Sequence, residues 1–241
     1  MIIIYRISDS GYNKIKPPYI NNENCLRNAL SVFPHSVFNW LIIADNISPQ
    51  TEEMIRKYYP GEIKHVSVGH GAGTFNIALT EAIQSGEDYI YFLENDYIHK
   101  QGSPDIIYEG LERFGADYIT LYDHPDKYIP ASKGGNPFID EDGSEITKLY
   151  LGDKCHYKLC FSTTMTFGAK RSTLIKHEHI LRKWTQGSYP EDFKMFTEIT
   201  KELGGSMLCP IPGYCTHGET HWLTPFTDWE NEILKNHPNY N

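Results

Sequence analysis

GHGAGTFNIALTEAIQSGEDYIYFLEND, residues 69–96, places a glycine-rich segment, a helix, a strand and an acidic triplet in immediate succession. The three glycines of residues 69–73 predict a loop whose backbone lies close to a ligand. Apolar residues recur at helical spacing over 75–83. Residues 88–93, DYIYFL, are short, apolar and aromatic-rich, which predicts a buried strand.

The strand ends in the triplet Glu94-Asn95-Asp96. In open α/β sheets, ligands bind at the carboxyl ends of the strands. Carboxylate oxygens there suit a hard divalent cation, since Mg²⁺ and Mn²⁺ prefer oxygen ligands and are often shared with substrate phosphates. The alternative is a solvated turn that closes a buried strand.

This order of elements resembles the nucleotide-sugar half of a GT-A glycosyltransferase, of the family-2-like inverting type, and is similar to small GT-A domains of large DNA viruses and bacteria. The resemblance implies that the triplet is the DxD motif. Asp96 would then hold the metal under the sugar-nucleotide diphosphate, with Glu94 in place of the first Asp. It also implies that Gly71, Asn76, Glu94 and Asn95 contact the nucleotide sugar.

The implied fold is α/β: a mostly parallel central sheet flanked by helices, with a small antiparallel hairpin on the acceptor side. We expect a single GT-A domain over residues 1–241. Residues 1–100 would form the nucleotide-sugar-binding half, and residues 101–241 the acceptor and catalytic half.

The N-terminal residues support a parallel sheet by their own pattern. Residues 2–7, 40–44 and 63–68 are predicted strands, and helices are predicted between them over 21–33 and from the Ser48 cap to 58. This alternation with short connections predicts helices on both faces of the sheet. No GxGxxG follows the first strand, so a Rossmann dinucleotide site is a weak match.

Two residues at the ends of these strands are further candidates for donor binding. Arg6 lies inside an apolar strand, where a charge must be paired. One alternative is that it reaches water or a structural carboxylate. The other is that its guanidinium contacts the nucleotide or diphosphate. Asp45 follows the second strand. There the resemblance implies a carboxylate that accepts a hydrogen bond from the N3–H of the base, and the alternative is a turn or cap role.

The second half is less regular. A helix is predicted over 104–114 and a strand over 118–122, followed by an aperiodic segment, 125–144, which we interpret as a lid or acceptor-side loop. Residues 145–151 and 155–167 predict a β-hairpin.

Ser188-Tyr189-Pro190-Glu191-Asp192 begins a predicted helix. Its acidic pair would complement the helix dipole. The resemblance implies more: PED falls where inverting GT-A enzymes carry an xED triplet, whose Asp is the catalytic base. That residue is Asp192.

A last strand is predicted over 207–211, followed by a Gly/Pro-bounded loop with His217 and His221. GT-A enzymes often supply a C-terminal His to the metal, and imidazole suits Mn²⁺ better than Mg²⁺. His217 is nearer the strand, which favours it as the ligand. A surface role for both histidines stays open.

Composition narrows the class of protein. With 241 residues and a net charge of −9, the chain has room for a large core and no excess of basic residues for a nucleic-acid partner. No apolar run is long enough for a signal or a membrane span, which predicts a cytoplasmic protein. Five cysteines without tight pairing predict free buried thiols, and a zinc site is a less favoured alternative.

The sequence therefore predicts a metal-dependent inverting glycosyltransferase with Mn²⁺ or Mg²⁺ as cofactor. It would move a sugar from a nucleotide-diphosphate sugar, with a UDP-sugar favoured, to a glycan or other hydroxyl acceptor. One alternative is a sugar-1-phosphate nucleotidyltransferase, although residues 8–11 with Lys14 and Lys16 are a poor version of its phosphate loop. The other is a catalytically silent nucleotide-sugar-binding domain.

Overall fold

A computed structural model describes residues 1–10 and 14–235. The strands are β1 (Ile2–Ser8), β2 (Asn39–Asp45), β3 (Ile63–Val66), β4 (Tyr89–Glu94), β5 (Tyr97–His99), β6 (Tyr118–Ile119), β7 (Leu149–Leu151), β8 (His156–Leu159), β9 (Phe167–Lys170), β10 (Met207–Ile211) and β11 (Cys215–His217). The helices are α1 (Asn22–Val32), α2 (Pro49–Tyr58), α3 (Gly71–Gln84), α4 (Ser103–Tyr108), α5 (Arg171–Lys183), α6 (Asp192–Thr197) and α7 (Trp229–Leu234). Both α4 and α6 continue as a π-helical turn.

Nine strands form one sheet in the order β3-β2-β1-β4-β9-β6-β10-β8-β7. The first four are parallel to one another. β9 runs antiparallel between β4 and β6, and β8 runs antiparallel between β10 and β7. Strands β6 and β10 are parallel. The predicted mostly parallel sheet is confirmed, and β7 and β8 form the predicted hairpin, with shorter strands than the sequence indicated.

The core lies on both faces of this sheet because β1 alternates its side chains. Ile3, Tyr5 and Ile7 pack with α1, α2 and α4, whereas Ile2 and Ile4 pack with α3, α5 and α6. Each fully buried side chain of this size contributes about 1.5–3 kcal/mol. Helices therefore cover both faces, as the alternating pattern predicts.

The glycine-rich segment is not the open loop that the sequence predicts. Only Gly69 lies before the helix, with a φ of +79°, and α3 already begins at Gly71. His70 caps this helix, since its Nδ1 accepts a hydrogen bond from the Gly73 amide at 3.1 Å. A Cβ at Gly73 would come within 2.3 Å of the Val68 side chain, so this glycine allows close packing.

Three further expectations are tested by the fold. Residues 125–144 contain two short 3₁₀ turns and no longer element, consistent with the predicted loop. The helix predicted to begin near Ser188 is α6, and it begins at Asp192. All five cysteines are buried free thiols, as predicted.

Within residues 1–10 and 14–235, no helix has the length and apolarity needed to cross a bilayer.

Candidate active site

A cleft of about 350 Å³ opens at the carboxyl ends of β1, β2 and β4. The parallel strands end together here, which brings residues from distant parts of the sequence to one edge of the sheet. Among the residues that line it are these that the sequence singled out: Arg6, Asp45, Gly71, Glu94, Asn95, Asp96 and His217. Asn76 and Asp192 do not line this cleft.

Asp45 fixes the turn that leads into α3. Its Oδ1 accepts a hydrogen bond from the Val68 amide at 2.7 Å, and its Oδ2 accepts one from the Gly69 amide at 2.8 Å. The side chain is nearly buried yet still forms part of the cleft wall. The side-chain amide of Asn46 also donates to Oδ1, at 3.0 Å. A carboxylate has about four lone-pair sites, so these three bonds leave acceptor capacity for about one more hydrogen bond.

Arg6 and Glu94 form an ion pair across neighbouring strands. The register of β1 and β4 sets the two residues side by side, and the Arg6 guanidinium lies 3.1 Å from the Glu94 Oε1. Arg6 also donates to the Gly71 and Met165 carbonyls at 3.2 Å. The structural partner expected for Arg6 is thus Glu94, and the pair holds the Glu94 carboxylate at the cleft wall.

Asn95 joins two walls of the cleft. Its amide donates to the Ser8 carbonyl at 3.1 Å and to the Asn22 Oδ1 at 2.6 Å. It therefore ties the end of β1 to the start of α1. Both bonds engage the amide nitrogen of Asn95, which therefore helps to hold the walls of the cleft in place.

A two-stranded ribbon brings Asp96 and His217 together. β5 pairs antiparallel with β11 in a register that sets His217 opposite Tyr97, and the Gly218 amide donates to the Asp96 carbonyl at 2.7 Å. His217 Nε2 then lies 3.2 Å from Asp96 Oδ2, and the ring packs on Tyr97. His221 lies in a 3₁₀ turn and is exposed.

Two lysines from beyond β1 reach the same atoms. Lys16 Nζ lies 3.0 Å from Asp96 Oδ2, and Lys14 Nζ lies 3.2 Å from His217 Nε2. Burial alone would raise the pKa of Asp96, but His217 and Lys16 reverse that effect and hold the pKa well below its usual range. Asp96 is therefore a carboxylate kept in its charged form.

The donor atoms at this position fit a divalent cation of the Mn²⁺ type. A carboxylate oxygen and an imidazole nitrogen 3.2 Å apart are close enough to bind one ion at the usual distance of about 2.1 Å from each. No cluster of three or more His, Cys, Asp or Glu side chains suited to a metal occurs in the part of the chain that the structure describes. A cation here would take its remaining ligands from water and from diphosphate oxygens.

Asp192 is the first residue of α6, and its electrostatic environment differs from that of Asp96. Its Oδ1 accepts a hydrogen bond only 2.7 Å long from the next amide, that of Phe193. Burial, reinforced by the negative charge of Glu94, raises the pKa of Asp192 to about 6. Asp192 itself does not line the cleft, and a carboxylate with this pKa is suited to accept a proton near neutral pH.

The loop 125–144 packs against the start of α6. The Phe138 ring stacks on the Phe193 ring with centroids 5.9 Å apart, and it also contacts Phe161. The loop therefore covers the residue next to Asp192. A lid or acceptor-side role for this loop stays a prediction.

Asn76 joins two helices. Its amide donates to the Thr185 carbonyl at 2.9 Å, and its Oδ1 accepts from Arg182 at 3.3 Å. These bonds connect α3 to the end of α5, and Asn76 is not among the residues that line the cleft. Its contact with a nucleotide sugar stays a prediction.

Sequence reasoning missed some residues at the cleft. Asp9 accepts hydrogen bonds from the Ser48 amide at 2.5 Å and the Thr51 hydroxyl at 2.6 Å, which ties the end of β1 to α2. His70 was missed as a cap and as part of the wall. The signal for Asp9 was its place in the turn directly after a central strand, where polar residues of neighbouring strands meet.

Comparison with known proteins identifies the fold. No protein-family profile matches the sequence, and no curated protein matches it. A solved structure from Desulfovibrio desulfuricans G20, assigned to the nucleotide-diphospho-sugar transferases, is similar over 86% of this chain and 78% of its own, with 8% identity and a TM-score of 0.50. The chain therefore has the nucleotide-diphospho-sugar transferase fold, that of GT-A enzymes.

Two other solved structures show weaker similarity. TarS 1–349 from S. aureus matches 73% of this chain with 12% identity and a TM-score of 0.47, and this chain spans about half, 48%, of that fragment. CMP:2-keto-3-deoxy-manno-octonic acid synthetase in complex with CTP matches 88% of this chain and 91% of its own, with 14% identity and a TM-score of 0.48.

Proposed function

We propose that this protein is an inverting glycosyltransferase that moves a sugar from a nucleotide-diphosphate sugar to a hydroxyl acceptor. One observation carries the proposal: two carboxylates, those of Asp96 and Asp192, lie in opposite electrostatic environments. Asp96 is kept charged by His217 and Lys16, whereas burial raises the pKa of Asp192 to about 6. The first suits a ligand for a cation or phosphate site, and the second suits a base.

In this proposal the cleft binds the nucleotide part of the donor. Asp45 has acceptor capacity left after its three hydrogen bonds within the protein and would read the N3–H edge of a uracil, which favours a UDP-sugar. Asp96 and His217 would hold Mn²⁺ or Mg²⁺. When bound, such a cation neutralises the charge that develops on the departing diphosphate.

Asp192 would act on the acceptor. Its carboxylate accepts the proton of the acceptor hydroxyl while that oxygen forms a bond to the anomeric carbon. The bond from the anomeric carbon to the diphosphate breaks on the opposite face, so the configuration inverts. A base with a pKa near 6 is ionised at neutral pH and still basic enough to help late in an oxocarbenium-like transition state.

The test begins with a panel of nucleotide sugars and Mn²⁺ in a thermal-shift assay, since a ligand of the native state raises its stability. A UDP-sugar should give the largest shift. Transfer of that sugar to glycan acceptors, with inverted configuration in the product, would support the mechanism. A retained configuration would exclude the single displacement by way of Asp192.

A second candidate function is a sugar-1-phosphate nucleotidyltransferase. It is favoured by one observation: Lys14 and Lys16, which follow β1, point their ammonium groups into the cleft. Release of pyrophosphate from a nucleoside triphosphate and a sugar 1-phosphate would identify it. Donor binding without transfer or slow donor hydrolysis would instead favour a silent binding domain. The cytoplasmic location expected from the sequence stays a prediction.

A further inference from the structure

The segment Lys14-Ile15-Lys16, which we name the lysine strap, borders the cleft. Its middle residue is anchored: the Ile15 carbonyl accepts hydrogen bonds from the Thr220 amide at 2.9 Å and from the Thr220 hydroxyl at 3.0 Å. Thr220 comes shortly after β11, which carries His217. The strap is therefore fixed by its backbone to the 3₁₀ turn that follows the strand supplying the imidazole.

In the strap, the apolar side chain is more exposed to solvent than the two charged ones, which is the reverse of the usual distribution. The apolar Ile15 side chain is 70% exposed. Its charged neighbours are less exposed, Lys14 at 28% and Lys16 at 32%. Hydrophobic burial alone would favour the reverse arrangement, because exposing Ile and desolvating an ammonium group both cost free energy. The charges must therefore be compensated inside the cleft.

The compensating atoms are those that would hold a cation. Lys16 Nζ is 3.0 Å from Asp96 Oδ2, and Lys14 Nζ is 3.2 Å from His217 Nε2 and 3.8 Å from the Glu219 carboxylate. An ammonium group and a divalent ion cannot use the same lone pair, and their charges repel one another. Binding of a cation at Asp96 and His217 requires both lysines to move.

We propose that Lys14 and Lys16 compete with the cation for Asp96 and His217, and that their ammonium groups bind the donor's diphosphate whether or not a cation is present. This inference rests on the proposed function, because it assigns two more residues to the same donor site. Lysine suits the role: its charge is compact, its four-carbon stem is flexible, and an ammonium group binds phosphate as a point charge. The lysines of the strap would thus weaken the binding of the cation and strengthen the binding of the diphosphate.

Lys16→Met separates the two effects, since methionine keeps the apolar stem and removes the charge. On the full chain, binding of Mn²⁺ alone is measured by the EPR signal of the free ion, and binding of inorganic pyrophosphate in EDTA by calorimetry. We expect Mn²⁺ to bind about tenfold more tightly and pyrophosphate about tenfold more weakly than in the parent chain. The double variant with Lys14→Met should enlarge both changes.

Two controls accompany it. Lys57→Met removes a lysine of α2 whose ion pair with Glu23, 3.2 Å long, lies outside the cleft, and it should change neither affinity. Lys16→Arg keeps a charge that binds phosphate and should retain pyrophosphate binding.

The proposal is overturned if the parent chain does not bind pyrophosphate in EDTA, or if Lys16→Met leaves either affinity at the parent value. Neither measurement uses a nucleotide sugar or an acceptor. A failure to transfer sugar would therefore count against the proposed function, and a failure of these affinities to change would count against the strap.

Discussion

The cleft and the start of α6, which we propose as the donor site and the acceptor side, differ most in the electrostatic environment of a carboxylate. In the cleft, Asp96 is matched by His217 and Lys16, which hold its pKa well below its usual range against the effect of burial. At the start of α6, Asp192 accepts a hydrogen bond from the adjacent amide of Phe193, and burial raises its pKa to about 6. The same functional group is prepared to stay charged in one region and to accept a proton in the other.

This difference follows from how the two regions are built. The cleft forms where parallel strands end, so charged groups from several strands and the strap converge and compensate one another. Asp192 lies at the start of a short helix, beside a residue that packs against the loop 125–144. There burial and the charges of Glu94 and Asp126 raise its pKa by more than the Phe193 amide and Lys127 lower it.

The largest effect that tests this comparison is expected at Asp192. Asp192→Asn keeps the shape and hydrogen bonding of the side chain but removes its affinity for a proton. Sugar transfer should fall about 10²–10⁴-fold, the usual contribution of a general base. Donor affinity, measured by calorimetry with UDP, should stay nearly unchanged because the cleft is intact.

The neighbouring Glu191→Gln provides the control for that variant. Glu191 is exposed, and its side chain makes no capping bond to α6. Its loss should leave transfer within about threefold of the parent value, as expected of a surface substitution. If Asp192→Asn keeps full activity, Asp192 only begins a helix, and the contrast between the two carboxylates has no catalytic meaning.

The next largest effect is expected at Asp96. Asp96→Ala removes the carboxylate that would ligate the cation, and Mn²⁺-dependent binding of the donor should weaken by about 100-fold or more. Calorimetry with and without Mn²⁺ measures this, and Asp105→Ala, which removes an exposed carboxylate outside the cleft, is the control. An unchanged Mn²⁺ requirement in Asp96→Ala would reject the metal assignment.

The two regions also differ in how far the sequence could predict them. In residues 1–96, each strand pairs with another strand of the same stretch, and β-α-β units leave clear periodicity in the sequence. The bounds of α1 and α2, and the position of Asp96 after β4, followed from that pattern. The Ser48 cap was also predicted, and its hydroxyl accepts from the Thr51 amide at 3.2 Å.

Long-range pairing explains most of what the sequence missed. β9 lies between β4 and β6 and is antiparallel to both, a placement that no local signal in residues 167–170 indicates. The approach of Lys16 to Asp96 spans 80 residues, and that of Lys14 to His217 spans 203. The bond from Asn76 to Thr185 was also missed, because the position of Asn76 on α3 predicts a helix face but not which neighbouring helix covers that face.

A smaller effect is expected at Asp45. Asp45→Ala should weaken UDP binding by one to two decades, because a hydrogen bond to a charged partner contributes about 1.5–3 kcal/mol. Asp45 also holds the Val68 and Gly69 amides, so part of the loss would come from a loosened turn. Binding of uridine and GDP separates the two causes. Only a loss of base recognition removes the preference for UDP over GDP. Equal affinity of the parent chain for UDP, GDP and CDP would contradict the role in base recognition.

The smallest effect concerns stability and depends on pH. Folding raises the pKa of Asp192 from the ordinary value of 3.8 to about 6, so the native state binds the proton more tightly than the unfolded state does. Stability therefore falls as pH rises from about 4 to about 6, and above that the native state carries a poorly compensated charge. Asp192→Asn removes this charge and should be more stable than the parent at pH 7.5 by about 1–2 kcal/mol, a figure reduced for solvent screening. The gain should shrink toward zero at pH 4, where the parent Asp192 is protonated. Urea unfolding at the two pH values measures both differences, and a variant that is no more stable than the parent at pH 7.5 would show that the Asp192 carboxylate is compensated after all.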